Sequence, residues 1–295
     1  MKSRIDFNES DDVLKRLSLS YDQLSKQHKT IADYVMNNLD KAAYMTINVL
    51  SANTQTSVAT VLRLTYLLGY SGYPDFRNAL KDQIKSQLTT IQRINMPGLS
   101  QYSIESIREV LTRDIQNIKS TRDEIDEKTF TAVVNKLIAA KRIYVIGSRT
   151  TSVLAEYLGY YLNLLLEGKV HIVQDSIRDP IEQLMVIGQE DVALGMTFPR
   201  YSAKTIRYLK YCKKRETTII GITDVSSSPI YPICDHVLYA KSNIISFVDT
   251  LVAPLSLINA LIIGVGLKNQ AATRRVFENL ENLWIENVTY DKNKI

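Results

Sequence analysis

The 295-residue chain is 45% hydrophobic and 23% charged, which is ample for buried cores and ordinary for a soluble globular protein of about two domains. Its net charge of +5 is mildly basic and compatible with a polyanionic partner. Two cysteines, Cys212 and Cys234, form no CxxC and argue against a disulfide framework, so a reducing cytoplasm fits best.

In chain order, the opening MKSRIDFNESDD carries acids where a signal peptide needs an apolar core, so no export signal is expected. From about 21 to 91 the pattern is helical: Leu24, Ile31, Val35 and Leu39, then Phe76, Leu80, Ile84 and Leu88, recur at spacings of three and four. Within it, TINVLSAN predicts a short helix with Ile47 and Leu50 inward, NTQT turns the chain, and Ser57 is a good N-cap for a second helix. That second helix is expected to bury Val58, Val61, Leu62, Thr65 and Leu68 and to stop at Gly69. Two short helices joined by a tight turn predict a helix-turn-helix. The outer face then carries Thr56, Ser57, Ala59, Thr60, Arg63 and Tyr66, small at the start and able to enter a major groove. Lys26, Lys29, Lys41, Arg77, Lys81 and Lys85 on neighbouring helices are expected to grip the phosphate backbone, Lys29 foremost. The competing expectation is an ordinary helical bundle with a solvated face.

The stretch LSKQHKTIADYVMNNLDKAAYMTINVLSANTQTSVATVLRLTYLLGYSGYPDFRNALKDQI resembles the N-terminal domain of the RpiR family of bacterial transcription regulators. IADYV, the TI…L pattern, S-x-ATV-x-R and the ending LGY-x-GY-x-DF carry that resemblance. The chain departs from the pattern in two places. Gln55 stands at a turn position that is usually glycine, and Tyr66-Leu67 replaces a basic pair, which leaves Arg63 as the one cation on the reading helix. The first departure implies local strain.

NMPGLSQYS breaks the chain, and a charged helical piece, IESIREVLTRDIQNIKSTRDEIDEKT, follows. This divides the protein into an all-α domain at 1–92, a connector and opening helix at 93–128, and a third region at 129–295. In that region RIYVIGS, KVHIVQD, DVALGMT, TTIIGIT and HVLYA are short apolar β-type runs, separated mostly by helical stretches. Such alternation predicts an α/β domain, a doubly wound parallel sheet buried on both faces. The apolar run VDTLVAPLSLINALIIGVGL has the length of a membrane span but contains Pro254 and Asn259. A buried or dimer-packing helix is expected instead.

Ligands of open α/β sheets bind beyond the carboxyl ends of the strands. There the sequence places Gly147, Ser148, Arg149, Thr150 and Thr151, and, in the loop FPRYS at 198–202 with its preceding threonine, Thr197, Arg200, Tyr201 and Ser202. Hydroxyls and helix-start amides suit a phosphate or carboxylate. YVIGSRTTSVLAEYL, DVALGMTFPRYSAKT and IIGITDVSSSPIYPICDHVL resemble the ligand loops of sugar isomerase (SIS) domains, which the RpiR family carries at its C-terminal end. By that resemblance Thr151 stands at the first phosphate-binding serine, Thr197 and Ser202 bracket the second loop, and Arg149 and Arg200 replace glycines. Pro199 stands where a serine is expected. Arginine recognises such anions through paired hydrogen bonds.

The resemblance implies a DNA-binding regulator that senses a phosphosugar or related anionic sugar. It would act as a homodimer or homotetramer on double-stranded operator DNA, away from membranes and without a cofactor. The alternative is an SIS-fold phosphosugar isomerase, whose acid or base would come from Glu156, Asp175, Asp179, Glu182, Asp224 or His236. None of these has a spacing that marks catalysis, and the few His and Cys residues suggest no metal site.

Overall fold

In the computed structural model, which describes residues 7, 11–87, 91, 93, 102–174, 179–243 and 247–286, four of the front-half helices begin where a side chain satisfies an orphan backbone amide. Asp12 caps α1 (Val13–Ser20), accepting from Lys15 N at 2.8 Å, and Ser25 caps α2 (Lys26–Asn37). A short α3 (Leu39–Ala42) leads to α4 (Ile47–Asn53), capped by Thr46. Ser57 caps α5 (Val58–Leu67), accepting from Thr60 N at 3.1 Å. Between α4 and α5 the chain reverses through Gln55, which sits at φ +51°. Gly69 at φ +83° ends α5, and α6 (Tyr73–Gln87) follows.

One core holds these helices: Leu17, Ile31, Val35, Leu50, Val61, Leu64, Leu68, Phe76 and Leu80 are all buried together. The expected inward face of α5 needs a correction. Leu64 is fully buried while Leu62 is only half-buried, and Val58 is 40% exposed. Val61, Leu64, Thr65 and Leu68 follow the i, i+3, i+4, i+7 stripe of a helix; Leu62 flanks it, and Val58 lies in the first turn, beyond the packed part. The far end of α5 is held from α1. Arg16 Nη1 donates to the Leu68 carbonyl at 3.0 Å, and its guanidinium lies 5.0 Å from the Tyr70 ring centre. Cations at a helix C-terminus are favoured by the dipole as well as by the hydrogen bond.

The long α7 (Ile104–Asp123) and α8 (Glu127–Ala139) connect to the second half. There β1 (Ile143–Gly147), β2 (Val170–Val173), β3 (Val192–Met196), β4 (Thr218–Thr223) and β5 (His236–Tyr239) form one parallel sheet ordered β2-β1-β3-β4-β5. All five strands coincide with the apolar runs. The connecting helices are α9 (Thr151–Leu165), a short α10 (Pro180–Gln183) and α11 (Ala203–Lys214). Alternate strand residues feed opposite cores, as a two-residue period requires. Ile143, Val145, Leu194 and Ile220 pack against α8, α9 and α12 (Val252–Lys268), whereas Tyr144, Ile146, Ala193 and Ile219 pack against α11. A final α13 (Gln270–Glu286) closes the described chain.

Helix α12 is the apolar run noted in the sequence. Its Leu257, Ile258, Leu261 and Val265 are buried against the sheet, and Pro254 falls in the first turn, where its missing amide costs no bond. Among the described residues no single helix is long and apolar enough to cross a membrane.

Candidate functional site

The outer face of α5 is open. Ser57, Ala59, Arg63 and Tyr66 are exposed; Thr60 is half-buried, its hydroxyl 2.8 Å from that of Ser57. Arg63 makes no ion pair among the described residues. Lys29 is half-buried, its ammonium 5.1 Å from the Tyr21 ring, and Lys81 lies 5.8 Å from the ring of Tyr44. The side chain of Lys85 lies outside the described residues. A residue the pattern did not single out joins this face: His28 of α2 packs against the Thr60 carbonyl and Arg63. Burial, opposed by the bond to that carbonyl and reinforced by Arg63, holds its pKa below the usual histidine value. It escaped notice because it lies on a different helix, some thirty positions away from its neighbours.

The second candidate site lies where the strand order reverses, between β1 and β3, at their carboxyl ends. Gly147 ends β1 because no other residue fits: a Cβ there would stand 2.4 Å from the Thr151 carbonyl oxygen. Ser148, Arg149, Thr150 and Thr151 then face Thr197, Arg200 and Ser202 across a pocket of only about 30 Å³, with Asp249 at its side. Most of its hydroxyls already have partners. Thr151 Oγ1 accepts from Ser148 N at 2.9 Å and donates to the Ser148 carbonyl at 3.0 Å. Thr197 Oγ1 accepts from Ser202 N at 2.9 Å, and Ser202 caps α11. Thr205 Oγ1 donates to Ser148 Oγ at 3.1 Å, tying the two loops together.

What remains uncommitted is charge. Arg149 and Arg200 make no ion pair among the described residues. Both adopt left-handed backbone, at φ +62° and +63°, so the two arginines occupy a conformation that favours glycine. Asp249 is held by Arg93, whose wholly buried side chain donates to it from Nη1 at 2.9 Å while Nε and Nη2 find no hydrogen-bond partner among the described residues.

Tyr201 turns away from this pocket. Its hydroxyl donates to Asp224 Oδ1 at 3.0 Å, on the other side of the FPRYS loop. Burial pushes the Asp224 carboxyl up to about 6, against the hydrogen bonds from Tyr201 and Thr223 that lower it. Here a second cavity of about 750 Å³ opens between the loop and the helix-turn-helix domain, and Pro199 and Arg200 line both spaces.

The acids expected of an isomerase do not converge. Asp179 caps α10, accepting from Ile181 N at 2.8 Å, and Glu156 accepts from Gln174 Nε2 at 3.0 Å. His236 opens β5, Glu182 lies in α10, and Asp175 falls outside the described residues. Among the described residues no group of three or more His, Cys, Asp or Glu is placed to hold a metal ion.

Residues 11–87 match the helix-turn-helix domain of the rpiR family, and residues 136–264 match the SIS domain. Curated relatives include an uncharacterized HTH-type transcriptional regulator of Clostridium perfringens, 23% identical over 77% of this chain and 80% of that protein. The HTH-type transcriptional regulator HexR of Pseudomonas aeruginosa is 20% identical over 91% of this chain and 95% of its own. Among solved structures, the sugar isomerase domain of an RpiR transcription factor from Sphaerobacter thermophilus has a TM-score of 0.56 at 23% identity, covering 59% of this chain and 97% of that one. The Vibrio vulnificus NanR protein, solved with ManNAc-6P, has a TM-score of 0.56 at 24% identity, covering 92% of this chain and 98% of that one. Joining a reading head of the first type to a sheet domain of the second, the chain belongs to the RpiR family of helix-turn-helix, SIS-domain transcription regulators.

Proposed function

We propose that the protein is a cytoplasmic DNA-binding regulator whose operator affinity is set by a phosphosugar or related anionic sugar held at the strand ends of the SIS domain. The division of labour is 1–92 for DNA, 93–128 for connection and 129–295 for sensing. The observation that carries the reading is the pairing of an open, Arg63-bearing α5 face with two arginines at the sheet crest of the same chain that make no ion pair among the described residues. The Vibrio vulnificus NanR protein, whose fold matches 92% of this chain, was solved with ManNAc-6P.

Ser57, Ala59, Thr60, Arg63 and Tyr66 would meet the groove, with Lys29 on the flanking backbone. Ser148, Arg149, Thr150 and Arg200 would meet the anion, with Gly147, Thr151, Thr197, Tyr201 and Ser202 shaping the loops that present them. Since most of these hydroxyls are already bonded within the loops, the guanidiniums carry the larger share of the attraction.

Assembly as a homodimer is supported by α7. Ile104, Ile107, Leu111, Ile115 and Ile118 recur at spacings of three and four, yet remain between 36% and 59% exposed. A stripe of that kind has the pattern of a helix-packing seam, and a two-fold pair of chains would present two α5 helices to two half-sites. The effector changes DNA affinity only by the difference in its affinity for the two arrangements of the pair. No enzymatic role is proposed, because the candidate acids cap helices or lie apart.

Fluorescence anisotropy with an operator fragment, with and without a sugar-phosphate panel, tests the reading. Arg63→Ala should weaken operator binding by about tenfold or more and leave effector affinity intact. Turnover of any phosphosugar without specific DNA binding would replace the regulator with an enzyme.

A further inference from the structure

A concentration of positive charge lies outside both sites. Helix α11 carries five cations, Lys204, Arg207, Lys210, Lys213 and Lys214, and no acid. Those five equal the chain's entire net charge of +5, so the cations and acids of the rest of the chain balance. Lys213 is paired with Asp235. Arg207, Lys210 and Lys214 are exposed and make no ion pair among the described residues. They recur at i, i+3 and i+7, which sets them on one face of the helix over about 10 Å, at about 1.5 Å per residue.

That face is more than a solvated basic edge. The three cations border a groove of about 530 Å³ whose apolar lining includes Ile181, Ile206 and Tyr211. Ile181 comes from α10, across the groove from α11. All three are only half-buried, so apolar surface stays open beside the charges. The groove shares no lining residue with the crest pocket. A phosphate backbone is held by charge and hydrogen bonds and makes little use of isoleucine. An aliphatic and aromatic floor edged by cations at helical spacing suits instead an amphipathic helix, apolar side down and carboxylates along one edge. Carboxylates repeated on that helix at i, i+3 and i+7 would each meet one cation.

We propose that the groove between α10 and α11 docks an acidic amphipathic helix of a second protein. Ile181, Ile206 and Tyr211 receive its apolar stripe, and Arg207, Lys210 and Lys214 meet its carboxylates and fix its direction. The inference goes beyond the regulator reading and uses none of the residues assigned to DNA or effector. It gives the chain a third contact surface, directed at a protein, besides the α5 face and the crest.

Fluorescence anisotropy of the full chain with a labelled synthetic helix tests it, the probe carrying Glu at i, i+3 and i+7 along the edge of a leucine stripe. A second probe keeps the glutamates and replaces each leucine with alanine, which preserves the helix and removes its apolar bulk. The expected result is saturable binding of the leucine probe. Binding should be at least about tenfold weaker for the alanine probe, and for a variant carrying Lys210→Glu and Lys214→Glu. Arg63→Ala should bind the leucine probe like the unmodified chain. Circular dichroism melts verify that the double variant folds, and Lys210→Gln with Lys214→Gln carries the test should it fail. Equal binding of the two probes, or undiminished binding by the folded variant, overturns the inference. So does failure of the leucine probe to bind, and two readouts then name another occupant. Loss of affinity for a labelled non-operator duplex in the double variant would assign the groove to nucleic acid, and loss of self-association in sedimentation would assign it to a second copy of this chain.

Discussion

Arg200 is held in left-handed backbone at φ +63°, a conformation that costs an L-residue with a Cβ about 1–2 kcal/mol. Glycine removes that cost but adds about 0.5–1 kcal/mol of chain entropy in the unfolded state. The side chain is exposed and makes no ion pair among the described residues, so little else is lost with it. Arg200→Gly should therefore stabilise the protein by about 0.5–1 kcal/mol, or about 1–4 °C in Tm for a domain of this size. It should at the same time abolish the thermal shift produced by a sugar phosphate. Gln55→Gly, which relieves the same backbone geometry at φ +51° in the helix-turn-helix, should raise Tm alike and leave the effector shift whole. Thermal melts with and without ligand read both effects together. Should Arg200→Gly melt at or below the unmodified protein, the strain argument is wrong. If instead its ligand shift survives, Arg200 does not hold the anion.

Asp224 makes stability depend on pH. Its carboxyl is raised from 3.8 to about 6, so the folded state binds the proton more tightly than the unfolded chain. The contribution is complete below about pH 4 and is lost as pH climbs through 6, roughly 3 kcal/mol in all at about 1.4 kcal/mol per unit. Melts between pH 4 and pH 7.5 should show that decline, and Asp224→Asn should flatten it; an unchanged slope would exonerate Asp224. On α7, Leu111→Glu places a charge in the exposed apolar stripe and should shift sedimentation from dimer toward monomer; an unaltered profile would move the seam elsewhere. For Arg63→Ala, the salt dependence of operator binding should fall by about one unit of slope if the guanidinium meets phosphate, and base discrimination should relax if it meets a base edge.

Much of this architecture was legible because it is periodic. The five strands stand out as β-branched runs, and the Ser57 cap and the Gly69 stop bracket α5 as written. The three departures from glycine, at Gln55, Arg149 and Arg200, also proved informative, since all three keep the positive φ that glycine would have supplied. What periodicity could not show is pairing across long separations. Arg93 with Asp249, Ser226 with Asp11 and Tyr201 with Asp224 leave no repeat in the sequence, because each is decided by how whole elements dock. The same holds within α5, where Leu62 and Leu64 are equally apolar and only the neighbouring helices choose between them. Size was hidden too: residues at the crest could be named, but not that they close on themselves while the roomier space lies behind Arg200.

Helix α1 is only eight residues long, yet it touches both working parts of the molecule. Its leading acids clasp the serines behind β4, and one turn later Arg16 reaches the tail of the reading helix through the Leu68 carbonyl. The tilt of α5 is thus tied to the position of the loop after β4 by a strut shorter than 15 Å, at about 1.5 Å per residue. Substitutions along the strut would retune how the loop after β4 bears on α5 while leaving the exposed α5 face and the crest arginines untouched.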